Sequence, residues 1–114
     1  MSFETRFPSV YEFVDRIILP YYGTSQSRTS SVNWSERWWA HKEVLARLEG
    51  LWLRYETLRH DEPASYLETF FRVHGDYHMG YLMGERSVLQ DCRREDMPTV
   101  ALRTSPVEEK FEEL

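Results

Sequence analysis

The chain has 114 residues, a length for one domain, and its 41% hydrophobic content, with four Trp, seven Tyr and six Phe, supplies a core and excludes wholesale disorder. No apolar run approaches the ~20 residues of a membrane span, and Met1 to Phe7 carries both charge signs, unlike a secretory signal. The formal charge is −5 and the single cysteine, Cys92, has no partner for an internal disulfide, so a reducing, cytoplasmic location is expected.

The first element is expected to start at Ser9, where Ser9-Val10-Tyr11-Glu12 has capping-box form. Val10, Phe13, Val14, Ile17 and Tyr21 recur at helical spacing, and Pro20 should end or kink the helix. Residues 23–33 are rich in Gly, Ser and Thr and read as a flexible loop.

Asn33-Trp34-Ser35-Glu36 resembles a second capping box, and the chain then runs to about His60 without proline. His41, Val44, Leu45, Leu48, Leu51, Trp52, Tyr55 and Leu58 fall on one broad face. Glu43 and Arg47 form a favourable surface pair on the other, and a break between Ala40 and Lys42 would leave a short helix before the long one.

Asp61-Glu62-Pro63 is a turn, and Ser65-Tyr66-Leu67-Glu68 gives a third capping box. Leu67, Phe70, Phe71, His74, Tyr77 or His78, Tyr81 and Leu82 continue the helical pattern, with Gly75 a candidate interruption, Asp76 a cap for a following short helix, and Gly84 a stop. Val88 and Leu89 are the last apolar pair before Cys92. The expected fold is all-α: a small helical bundle of three to four main helices over residues 1–92, and an extended, acidic tail over 93–114, with a short acidic helix allowed after Pro106.

Charge is dispersed. Residues 35–60 sum to +1 and 61–83 to −3, and no segment forms the basic stripe that phosphate binding requires, so nucleic acid is not the expected partner.

Three features bear on chemistry. His74 and His78 lie four apart on one helix face, a spacing that lets two imidazoles share a zinc ion; antiparallel packing would bring His41 towards them, with Cys92 as a fourth ligand. The simpler reading makes these histidines hydrogen-bonded core residues. Trp34, Trp38 and Trp39 form an aromatic cluster; Trp38 and Trp39 point about 100° apart on a helix, so at least one of the cluster should reach the surface or the first helix. The simpler reading has the first helix and the tail cover them as core, and a tryptophan left at the surface would be an interface anchor. No nucleophile, phosphate loop or paired-carboxylate site supports an enzyme.

Trp34, Trp38-Trp39-x-His41 and Arg47-Leu48-Glu49-x-Leu51-Trp52, followed by Phe70-Phe71, His74-x-Asp76-x-His78-Met79 and Cys92, resemble the actinobacterial family catalogued as domain of unknown function 4913. The likeness spans residues 34 to 92. It implies a phage, prophage or conjugative-element setting and no assigned activity. In that family a cysteine usually follows the first tryptophan and tryptophans stand at the Phe70 and Phe71 positions; here Ser35 occupies the cysteine position, which leaves Cys92 without a thiol partner.

The leading expectation is a non-enzymatic protein-binding accessory domain without a cofactor. Its partner would be a host factor, a phage or conjugation component, or a second copy. The alternative is a metal-binding, hydrolytic domain built on His41, His74 and His78.

Overall fold

The computed structural model describes residues 2–23, 33–92, 101–108 and 110. Among these the chain is helical, with no strand. Three helices form the bundle: α1 (residues 10–21), α2 (Lys42–Asp61) and α3 (residues 66–82). One short 3-10 turn, Trp38–Ala40, precedes α2, and another, Gln90–Cys92, follows α3. No helix among the described residues is long and apolar enough to cross a membrane.

α1 begins as the sequence predicts. The Ser9 hydroxyl accepts the Glu12 amide at 3.3 Å, answering one of the donors left open in the first turn. The helix does not stop at Pro20. A π-helical turn over Val14–Ile18, closed by the Leu19 amide on the Val14 carbonyl, precedes Leu19–Tyr21. Widening the turn before the proline moves away the carbonyls that its ring would meet in a regular α-helix.

The extra residue in that turn changes the buried stripe, which runs Val10, Phe13, Val14, Ile17, Ile18. Tyr21, expected inside, is exposed, and Tyr22 packs against the core in its place.

α2 is regular but starts later than the Asn33–Glu36 motif predicts. Asn33 caps no helix: its amide donates to the Gly84 carbonyl at 2.7 Å. The Ser35 hydroxyl accepts the Arg37 amide at 3.0 Å in a local turn. His41 takes an extended conformation (φ −99°, ψ 114°) as the N-cap residue of α2, which places the break where the sequence allowed it. Val44, Leu48, Leu51, Tyr55 and Leu58 are buried as expected, and Leu45 and Trp52 are half-buried.

α3 carries a second π turn, Phe70–Gly75, and continues through Gly75 without interruption. Asp76 is therefore inside the helix and not a cap; its carboxylate accepts the Tyr22 hydroxyl at 2.8 Å. Ser65 stands at the N-cap position, but its hydroxyl turns to Glu62 and not to an amide of the first turn. The inward line is Phe70, Gly75, Met79, Leu82, so Tyr77 and Tyr81 face outward instead of continuing the predicted stripe.

The three helices meet at one aromatic triad. Phe13 of α1 lies 5.3 Å from Tyr55 of α2 and 6.1 Å from Phe70 of α3, and Tyr55 and Phe70 meet edge-to-face at 5.5 Å. All three rings are fully buried. After α3, the Ser87 hydroxyl donates to the Leu82 carbonyl and accepts the Leu89 amide, seating Leu89 and then Cys92 in the core.

Residues 101–108 form no regular element and are exposed. Residues 24–32 of the loop predicted over 23–33, residues 93–100, and most of the acidic helix allowed after Pro106 lie outside the described residues.

Candidate functional site

An open groove of about 460 Å³ lies along the outer side of α1. One wall is Tyr11, Asp15 and Leu19, spaced four apart along α1; the other is Trp34, Glu36, Trp38 and Trp39. The inner stripe of α1 is consumed by the core, which leaves these three residues on the face turned away from it.

The segment opposite is short and irregular because Ser35 and His41 interrupt it. Both are buried, and between them the Trp38–Ala40 turn fans the two adjacent indoles apart. Trp38 is 6% exposed and rests on the Tyr11 ring at 5.7 Å, while Trp39 is 46% exposed with the Arg37 guanidinium 5.2 Å from its ring centre. Trp34 is half-buried and packs on the core.

The three tryptophans predicted as interface candidates therefore line one groove with different exposure. Trp38 is packed into the core at its floor, and Trp39 is the exposed one. Tyr11, Asp15, Leu19 and Glu36 were not singled out from sequence. The available signal was the pair Tyr11 and Leu19, large apolar residues on the helix side opposite the buried stripe, with Asp15 midway between them.

His74 and His78 occupy a different region, the seam between antiparallel α2 and α3. Arg54 Nε donates to His74 Nε2 at 3.1 Å, and Arg47 Nη1 lies 2.9 Å from His78 Nδ1. Arginine has no acceptor, so each of these ring nitrogens is the unprotonated one. Arg47 also binds Glu43 at 3.0 Å and lies 4.2 Å from the centre of the Tyr81 ring.

Burial first, and the facing guanidinium second, push both imidazoles below their usual value; for His78 the charge of His74 adds to this. His41 and Cys92 are each buried. Among the described residues no three His, Cys, Asp or Glu side chains are gathered as a metal ion would need. The unprotonated nitrogens of His74 and His78 are turned to arginines, which repel a cation.

A second carboxylate centre was also missed. Glu56 is fully buried on α2. Its Oε1 accepts the Arg6 amide at 2.9 Å and Arg59 Nη1 at 3.1 Å; its Oε2 accepts the Phe7 amide at 2.9 Å and Trp52 Nε1 at 3.3 Å. Arg6 Nη1 donates in turn to the Tyr55 hydroxyl at 2.8 Å. Every lone-pair direction is occupied, so this carboxylate holds the N-terminal segment against α2 and is closed to a substrate.

No curated protein and no solved structure matches this chain. One family model does, described as Domain of unknown function (DUF4913), and it matches residues 7–110, from the residue before Pro8 through the whole bundle and beyond it. The groove, the aromatic triad and the histidine seam all fall within that span, and the chain belongs to the DUF4913 family.

Proposed function

We propose that this domain is a non-enzymatic binding module of a mobile genetic element, a phage or plasmid, working in the cytoplasm and docking a protein partner through the groove beside α1. Trp39 carries the reading: a large indole, almost half exposed, stands at the mouth of an aromatic groove. Exposed tryptophan held by a rigid scaffold is the residue type that dominates binding energy at protein interfaces. The partner is a host factor, another component of the element, or a second copy.

The test uses Trp39→Ala, because Trp38 is packed into the core and its removal would damage the fold. Partners are cross-linked in the native host, purified, and titrated against both proteins. The variant is expected to lose about tenfold or more in affinity with an unchanged melting curve. Equal affinities would overturn the docking role.

Metal chemistry draws no support from the geometry of His41, His74, His78 and Cys92. Elemental analysis of the purified protein should find no stoichiometric zinc or other transition ion, and a chelator should leave the melt unchanged. One bound equivalent, with a melt that falls on chelation, would replace the binding reading with a metal-dependent one.

A further inference from the structure

We infer that the groove beside α1 takes a cationic side chain, Lys or Arg, projected from an apolar segment of the partner. This rests on the docking role proposed above and adds the chemistry of what docks. The groove is lined by four aromatic rings (Tyr11, Trp34, Trp38 and Trp39), by Leu19, and by two carboxylates, one on each wall: Asp15 from α1 and Glu36 from the segment opposite. No lysine or arginine is among the lining residues.

Aromatic faces carry negative potential and attract cations within about 6 Å. Trp39 already does so on this surface, since the Arg37 guanidinium stands over its ring at 5.2 Å while Arg37 itself stays out of the groove. Asp15 and Glu36 are exposed and make no ion pair among the described residues, so a guanidinium or ammonium entering between the walls gains two counter-charges with little desolvation of its own.

The same arrangement disfavours a nucleic-acid strand, because bases stacked on the indoles would bring phosphates against the carboxylates. Leu19 and the exposed ring of Tyr11 offer apolar contact to residues that flank the cation.

The probes are blocked tripeptides with leucine at both ends and arginine, lysine, norleucine or glutamate in the centre. They are titrated into the full chain while the indole N–H resonances of Trp34 and Trp39 are followed by NMR. The arginine and lysine peptides are expected to bind about tenfold or more tightly than norleucine, with glutamate weakest. The Asp15→Asn/Glu36→Gln variant should bind the arginine and norleucine peptides alike, at an unchanged melting temperature.

Equal binding of arginine and norleucine by the unmodified protein would overturn the cation preference and leave the docking groove standing. No indole response to any peptide would overturn both. Indole shifts that follow protein concentration alone, with a dimer in sedimentation, would make a second copy the occupant and also overturn the proposal.

Discussion

Two neighbourhoods of this molecule combine carboxylates with large aromatic rings, and they are finished differently. Around Glu56 the chain supplies its own donors: two backbone amides, the Trp52 indole and Arg59, with Phe7 and Tyr55 packed close by. Around Asp15 and Glu36 it supplies Tyr11, Leu19 and three tryptophans, and no cation among the residues that line the groove. The first arrangement is saturated and serves stability. The second leaves aromatic surface and negative charge open to solvent. Composition does not separate the closed neighbourhood from the open one; the count of donors already spent does.

The contrast predicts opposite responses to substitution. Glu56→Ala strands the Arg6 and Phe7 amides and the Arg59 charge, and should cost about 3–5 kcal/mol in urea unfolding. Glu56→Gln should recover little, because each oxygen of the native carboxylate accepts two donors and the amide must turn its NH₂ towards one of those pairs whichever way it is flipped. Trp39→Ala should leave stability within about 0.5 kcal/mol of the parent while lowering partner affinity about tenfold or more. A Trp39 variant as unstable as Glu56→Ala would make the open groove a structural site after all.

Much of the bundle was legible. Ser9 caps α1, α2 ends one residue beyond the predicted His60, and Glu43 and Arg47 pair as expected. These features are decided within one turn of chain, where side-chain spacing carries the information. The motifs at Asn33 and Ser65 have the same local form but do not cap, because Gly84 and Glu62 offer their side chains other partners.

The two π turns were invisible for a related reason. Each inserts one residue at a cost in local hydrogen bonding that only tertiary packing repays, and each shifts the buried line downstream by one position: Tyr21 gives way to Tyr22, and His74 to Gly75. Glu56 reads as a surface residue on a helical wheel, since the amides that bury it come from the far N-terminal segment.

The shifted line of α3 is what turns His74 and His78 towards Arg54 and Arg47, and it makes the α2–α3 seam sensitive to pH. Both imidazoles titrate below the usual 6.5 in the folded protein, so the unfolded chain binds protons first. Stability is therefore fully present above about pH 6.5 and declines as pH falls through the lowered folded values. Melting temperature should drop between neutral and mildly acidic pH, and the His74→Gln/His78→Gln variant should show a flatter profile. A wild-type melt indifferent to pH in this window would remove the seam as a source of stability.

The smallest effects come from three helical glycines, and they sharpen the distinction between closed and open surface. A Cβ at Gly50 or Gly80 would meet nothing within 4 Å, so alanine there should gain about 0.5–1 kcal/mol from the lower backbone entropy of the unfolded chain. At Gly75 the same methyl would strike the Tyr22 hydroxyl and lie 3.3 Å from Phe70 Cε2. The phenol cannot simply swing away, because it is hydrogen-bonded to Asp76 and its ring packs on Phe71 at 5.9 Å. Gly75→Ala should therefore lose stability despite the better helix propensity of alanine. Pairing it with Tyr22→Phe removes the obstructing oxygen, and the double variant should regain part of the loss. If Gly75→Ala alone stabilised the protein as Gly80→Ala does, the contact between the end of α1 and the π turn of α3 would be looser than the Tyr22–Asp76 bond implies.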